Sequence, residues 1–196
     1  MISRIKGRLI SLDPDGTVEV ETPGGVVYEV DVPLTVLQRL PPRGAAVELR
    51  TVQIVREDKI DLYGFLEGGE RELFRRLLTA HGVGARVALL MMSTYTASRL
   101  ARAIVEKDVN ALKRVSGVGK KTAEGIVLAL SDKVTDLAVA LSAGAVEAPP
   151  IAQEAVSALV ALGYSFTDAD DLVRGVLQDG GAGSVEELIR KALARK

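Results

Sequence analysis

LLTAHGVGARVALLM (77–91) and LKRVSGVGKKTAEGI (112–126) are two copies of one pattern. Each closes an apolar helix, makes a Gly-Val-Gly turn and opens a second helix bearing Ala, with Gly82 and Gly117 set 35 residues apart. This is the form of a helix-hairpin-helix. Its glycines permit a tight turn and let a phosphate approach with no Cβ in the way. The second helix then starts with free N–H groups and the positive end of its dipole facing outward. Gly82, Val83, Gly84 and Arg86 form the first candidate DNA-binding site, and Gly117, Val118, Gly119, Lys120, Lys121 and Thr122 form the second. Contacts of this kind go to phosphates, so they position a protein on DNA without reading sequence. Two such hairpins side by side can hold both strands of one duplex across its minor groove. A Gly-Val-Gly turn can also do no more than close a pair of helices; two copies at regular spacing, in the basic part of the chain, weigh against that.

The charge around the repeat supports the nucleic-acid reading. The 196-residue chain has a formal net charge of −1, but its basic residues are unevenly spread. Residues 1–66 carry 8 basic and 10 acidic side chains, residues 67–135 carry 12 and 7, and residues 136–196 carry 5 and 9. A basic middle between acidic ends suggests that the middle segment meets a polyanion. GVGKKT lacks the G-x-x-x-x-G-K-[ST] spacing of a phosphate-binding loop, and Val115, Ser116 and Thr122 do not restore it, so nucleotide hydrolysis is not expected.

Upstream of the repeat the chain reads as β. Apolar residues alternate at Val18 and Val20, then at Val26, Tyr28 and Val30, with further strands at 46–56 and 59–65. Turn signals at Asp13-Pro14-Asp15-Gly16, Thr22-Pro23-Gly24-Gly25 and Pro41-Pro42-Arg43-Gly44 separate them. A short helical stretch, Leu34 to Leu40 with Leu37 between, completes the set. Five strands with one small helix fit a closed barrel of OB type over residues 1–66, with an SH3-like barrel as the competitor. From Glu70 the period becomes helical, with Leu73, Phe74, Leu77 and Leu78 on one face and connections at 82–84, 93–96, 107–109 and 116–119. The fold class is α+β and multidomain.

Downstream, residues 136–150 turn Ala-, Val- and Gly-rich and end in Pro149-Pro150, which predicts a flexible linker, although the helix can continue through Leu141. Residues 151–196 give three helices: Ile151 to Leu162 stopped by Gly163, a second from Thr167 with Asp170 at capping-box spacing, and a third from Ser184 with Glu187. Val156, Leu159, Leu172, Val176, Leu188 and Leu193 are its expected core. An acidic module on a tether, with no catalytic constellation, suits protein docking.

Bulk composition excludes other chemistries. There is no cysteine, which removes disulfides and thiolate-held metals or iron–sulfur clusters, and His81 is the only histidine. No catalytic residue, metal ligand or cofactor is expected; His81, the methionines and the tyrosines read as structural. The N-terminus MISRIKGRLIS has no apolar core of signal-peptide length, and no stretch approaches the ~18 apolar residues of a membrane span. A soluble cytoplasmic protein is the expectation.

Taken together with MISRIKGRLI (1–10), GVVYEVDVP (25–33), VREDKIDLYGF (55–65) and ERELFRRLL (70–78), the paired hairpins and the three-helix module resemble the RuvA family. These are the Holliday-junction-binding subunits of the bacterial branch-migration complex. The resemblance covers all three segments. It implies a homotetramer that holds a four-way junction open and flat, each subunit's hairpins gripping an arm by its backbone, with one or two tetramers on the junction. The family's acidic pin corresponds to Glu57 and Asp58, whose carboxylates would keep phosphates from the crossover; without the resemblance they read as a solvated hairpin tip. The third domain would dock the hexameric AAA+ motor RuvB, whose ATPase drives branch migration in homologous recombination and DNA repair. The resemblance also allows the resolvase RuvC as a further partner. The docking surface would involve the first helix of that domain and the turn at Gly163-Tyr164, with Leu159 and Leu162 assigned either there or to the core. Two departures stand in the first hairpin: Ala85 where the family often has proline, and Arg86 where it often has lysine.

Two rivals remain. A helix-hairpin-helix DNA glycosylase/lyase would use Lys121 as nucleophile with Asp132 or Asp136, but it needs a larger helical domain around an extruded base than the ~65 helical residues present. A generic duplex-binding accessory protein explains the hairpins and leaves VREDKIDLYGF without a role.

Overall fold

A computed structural model describes residues 1–144, 150–164, 166–179 and 184–194. It divides into two compact units, Met1–Ser142 and Ala143–Lys196.

The first unit begins with a closed OB-type barrel of strands β1 (Arg4–Leu12), β2 (Thr17–Glu21), β3 (Val27–Asp31), β4 (Ala46–Val55) and β5 (Ile60–Phe65), ordered β1-β2-β3-β5-β4. Alternation sends Ile5, Leu9, Val18, Val20, Val30 and Leu49 inward to a common core. β3 and β5 pair in parallel at Asp31 and Tyr63, which closes the barrel. Closure demands a close approach at Gly7, where a Cβ would lie 2.1 Å from the Glu21 carbonyl oxygen. Val26, expected within the third strand, precedes it and is exposed, because the Thr22–Val26 turn occupies that position. The short helix α1 ends at Leu37 (Leu34–Leu37) rather than Leu40, although Leu40 still packs on the barrel core.

Helix α2 (Gly68–Leu77) fastens the barrel to the helical part of the unit. Its Phe74 ring lies 5.0 Å from Tyr63 and 5.1 Å from Phe65, centroid to centroid. Glu70 is buried, accepts a hydrogen bond from the Glu67 backbone N–H at 2.9 Å, and takes an ion pair from Arg39. Val52, Tyr63 and Phe65 therefore belong to the same apolar cluster as the helices α3 (Ala85–Thr94), α4 (Ala97–Val105), α5 (Val109–Lys113) and α6 (Lys120–Leu130). Barrel and hairpins share one core, so a position in one is fixed relative to the other.

The helix allowed by periodicity through Leu141 runs as α7 (Thr135–Gly144). It packs on the start of α2: a Cβ at Gly69 would meet Leu141 at 2.6 Å. Arg76 of α2 holds both Asp136 oxygens, at 2.7 and 3.2 Å, and also donates to the Lys133 carbonyl. Of the expected linker, residues 145–149 lie outside the described residues.

The second unit is a three-helix bundle of α8 (Pro150–Ala161), α9 (Phe166–Gln178) and α10 (Val185–Leu193). α9 starts one residue before Thr167, whose side chain lies outside the described residues. Ser184 caps α10, accepting from the Glu187 N–H at 3.2 Å. Val156, Leu159, Val176 and Leu188 are buried as expected, with Val173 and Ala155 beside them. Leu172 is half-buried, and Leu193 is exposed at the last residue of its helix, where Ala192 takes the inward position.

Candidate nucleic-acid interface

The two Gly-Val-Gly turns are conformational copies. Gly82 and Gly117 have φ of +80° and +84°, the left-handed region in which a side chain is strained. Gly84 and Gly119 then take extended backbone at the N-cap positions of α3 and α6, with φ/ψ of −86°/173° and −81°/173°. Between them Val83 and Val118 turn inward and are buried, each donating its N–H to the carbonyl three residues back, Ala80 and Val115, at 3.1 and 3.0 Å. The valine is the anchor, and the glycines are the surface.

Neither α3 nor α6 has a side-chain cap, so the first-turn N–H groups keep their outward valence. A Cβ at Gly84 or at Gly119 would meet nothing within 4 Å. The space in front of both helix starts is open. Arg86, Lys120 and Lys121 are exposed there, and Thr122 is half-buried. Lys120 has a carboxylate neighbour, Glu124, only at 3.9 Å in an exposed pair, too loose to hold it. His81 and Ser116 are exposed at equivalent positions inside the two turns, so His81 belongs to the presented surface rather than to the core.

The hairpins also face each other in a reciprocal way. A Cβ at Gly82 would lie 3.9 Å from Thr122, and one at Gly117 would lie 3.9 Å from Val87. Val87 and Thr122 are the same position in the two repeats, 35 residues apart. Each turn thus rests on the first turn of the other repeat's second helix, which is the contact pattern of a local two-fold axis. Such an axis matches the pseudo-symmetry of two backbone strands flanking a duplex groove. Sequence reading found both halves and missed the axis; the 35-residue offset between Gly82–Thr122 and Gly117–Val87 is the signal that carries it.

Glu57 and Asp58 occupy the tip of the β4–β5 hairpin. Val55 and Ile60 are paired at its last rung, and Arg56 N–H donates to the Lys59 carbonyl at 2.8 Å, leaving the two acids as the central residues of the turn. Both are exposed. Lys59 points back to Asp61 at 2.8 Å, and that hydrogen bond and charge hold its pKa above the ordinary lysine value. Of the two cations that flank the tip in sequence, Arg56 and Lys59, Lys59 is thereby engaged by Asp61.

In the second unit, Leu159 is fully buried in the bundle core, so it supports the candidate docking surface from beneath and offers no contact itself. Leu162 is 64 % exposed. Gly163 (φ +95°) ends the helix, with its N–H bonded to the Val160 carbonyl at 2.9 Å and that of Tyr164 bonded to the Leu159 carbonyl at 3.2 Å. This leaves exposed Leu162 and half-buried Tyr164 flanking the turn. Of the two carboxylates weighed for a glycosylase/lyase, Asp136 is tied to Arg76, whose hydrogen bond pushes its pKa down, and Asp132 is exposed.

Three family models match the chain in order: RuvA N terminal domain over residues 1–64, SAM-like helix-hairpin-helix tandem over 74–132, and RuvA, C-terminal domain over 150–195. Relatives of full length include the Holliday junction branch migration complex subunit RuvA of Gemmatimonas aurantiaca, 44 % identical over 100 % of this chain and 98 % of its own. The subunits of the same name from Opitutus terrae and Neisseria meningitidis are 44 % and 41 % identical, covering 99 % and 100 % of this chain and 100 % of each relative. The family models thus cover the barrel, the paired hairpins and the three-helix module in turn, relatives at 41–44 % identity match from end to end, and the chain belongs to the RuvA family.

Proposed function

We propose that this chain binds four-way junction DNA by its sugar-phosphate backbone and serves as the non-catalytic, junction-holding subunit of a branch-migration complex in recombination and repair. The observation that carries the proposal is the pair of superimposable, uncapped turns with open space before Gly84 and Gly119 and cations at Arg86, Lys120 and Lys121. In a cytoplasmic homotetramer, four such pairs would seat four duplex arms. Phosphate oxygens would accept hydrogen bonds from the helix-start N–H groups, and the cations would neutralise the strands without regard to sequence. Four Glu57-Asp58 tips near the crossover would repel phosphates from the centre and keep separated strands apart. The corner at Leu162, Gly163 and Tyr164 would dock the RuvB motor, which supplies the ATPase.

The pin separates this reading from that of a generic duplex binder. With Glu57→Gln and Asp58→Asn together, affinity for a four-way junction is expected to rise by about 3- to 10-fold at low salt, since exposed charges at these separations are worth about 1 kcal/mol. Affinity for linear duplex should stay unchanged. Titration of both DNAs with both proteins checks this, and a large loss of junction affinity would contradict a repulsive pin.

A further inference from the structure

The barrel carries two pairs of like charges set directly opposite each other on neighbouring strands. Arg4 faces Arg50 across β1 and β4, and Glu19 faces Glu29 across β2 and β3. Like charges in that position destabilise a sheet. Arg50 lies against the start of α2, 3.9 Å from where a Gly68 Cβ would sit, and α2 adds Arg71 and Arg75 one turn apart. Arg71 donates to the Ser3 carbonyl at 3.0 Å, but its Nε is buried with no hydrogen-bond partner. Burial, then the charges of Arg75, Arg50 and Arg4, push the pKa of Arg71 down. Of these four arginines only Arg4 has a carboxylate partner, Glu48, among the described residues.

The acidic side mirrors this. Glu19 and Glu29 point outward, since Val18, Val20 and Val30 on the same strands point into the core, and neither forms an ion pair among the described residues. Asp31 extends the strip; its pKa is raised by burial and by the charges of Asp61 and Glu29, against the pull of Lys59. A basic cluster and an acidic strip thus sit on different seams of one barrel, each unfavourable alone and complementary to the other.

We infer that the Arg4–Arg50–Arg71–Arg75 cluster of one subunit receives the Glu19–Glu29 strip of a second copy of this chain, making a head-to-tail contact that closes the subunits into a ring. Two different patches meeting in this way are a heterologous interface, which propagates until rotation closes it. The inference rests on the homotetramer reading and assigns its contact surfaces. DNA is the weaker occupant for the cluster: Arg71 and Arg75 are half-buried, and Arg71 is turned onto the Ser3 carbonyl beside β1.

The test is association of the full chain, by light scattering and native mass spectrometry at about 0.1 M salt. Glu19→Arg/Glu29→Arg should dissociate the assembly, weakening it at least about 100-fold, and Arg50→Glu/Arg75→Glu should do the same, because like charges are then juxtaposed across the contact. Linear duplex binding through the hairpins should survive in both. Mixed in equal amounts, the two variants should co-assemble, since each presents one sign of charge to the other's opposite sign. If both variants keep the parent's mass, the inference is overturned and the tetramer reading stands. If Arg50→Glu/Arg75→Glu lowers DNA affinity with its mass unchanged, the cluster is a phosphate seat and the inference is equally overturned. A monomeric parent sinks both. Should a reversed variant fail to fold, the parent decides: its association is expected to weaken steeply as salt rises toward about 1 M, where screening reaches about 3 Å. Salt-indifferent association would overturn the inference.

Discussion

Replacing Gly84 and Gly119 together by Asp is expected to stabilise the protein slightly and to abolish DNA binding. Both positions have the extended backbone of an N-cap, at φ −86° and −81°, and a Cβ there meets nothing within 4 Å. Asp is a better N-cap than Gly by a few tenths of a kcal/mol, because its carboxylate accepts the N–H groups of the first helical turn. Those are the groups a phosphate would use. The new carboxylate would occupy the seat and repel its intended occupant. Losing a charge-assisted hydrogen bond costs about 1.5–3 kcal/mol at each turn, so affinity for any duplex arm should fall at least about 100-fold, with repulsion adding to that. Thermal melting and fluorescence titration of labelled duplex check the two halves separately. Undiminished binding would remove the turns from the interface; a loss of stability would mean that the space is not open. The same exchange at Gly82 or Gly117 is uninformative, since a side chain at φ +80° or +84° costs about 1–2 kcal/mol wherever DNA binds.

The second large effect concerns charge. Arg86→Ala, Lys120→Ala and Lys121→Ala combined should flatten the salt dependence of binding. The slope of log K against log salt is about −0.9 per phosphate neutralised, so a subunit seated on one arm should lose close to 3 from that slope. Affinity at about 50 mM salt should fall far more than affinity at about 200 mM, where screening has already removed most of the gain. The loss should be the same for arms of any sequence, because phosphate contacts carry no sequence information. Titrations at several salt concentrations on two unrelated arm sequences check it. An unchanged slope would mean that these cations face solvent.

Much of this design is legible in residue order. The switch from alternation to helical period near Glu70, the turn signals between strands and the repeated Gly-Val-Gly each reflect a local backbone requirement, and local requirements leave local marks. Val83 and Val118 as inward anchors belong to the same pattern. The features that were not legible depend on residues far apart in the chain. The reciprocal seating of Gly82 on Thr122 and Gly117 on Val87 appears only when both hairpins are packed. α7 runs to Gly144 and is held to α2 by the Arg76–Asp136 pair and by Leu141 over Gly69, none of which a short window can see. In the small bundle, helical periodicity marks an apolar stripe but not which edge of it faces inward. Leu159 therefore stood both in the expected core, where it lies, and in the candidate docking surface, and Leu193 stood as a core residue although it is exposed. The like-charged cross-strand pairs Arg4–Arg50 and Glu19–Glu29 needed the register of the barrel, which alternation alone leaves open.

A competition titration tests the central claim most directly: the full chain with a labelled four-way junction and with linear duplex of the same arm sequence, at moderate salt and with excess unlabelled duplex. Electrostatic attraction alone binds both, and the competitor removes it. A clear preference for the junction, unchanged when the arm sequences are replaced, is the predicted result. Equal affinity for junction and duplex would contradict it, leaving a pair of hairpins that grips duplex DNA without recognising the crossover.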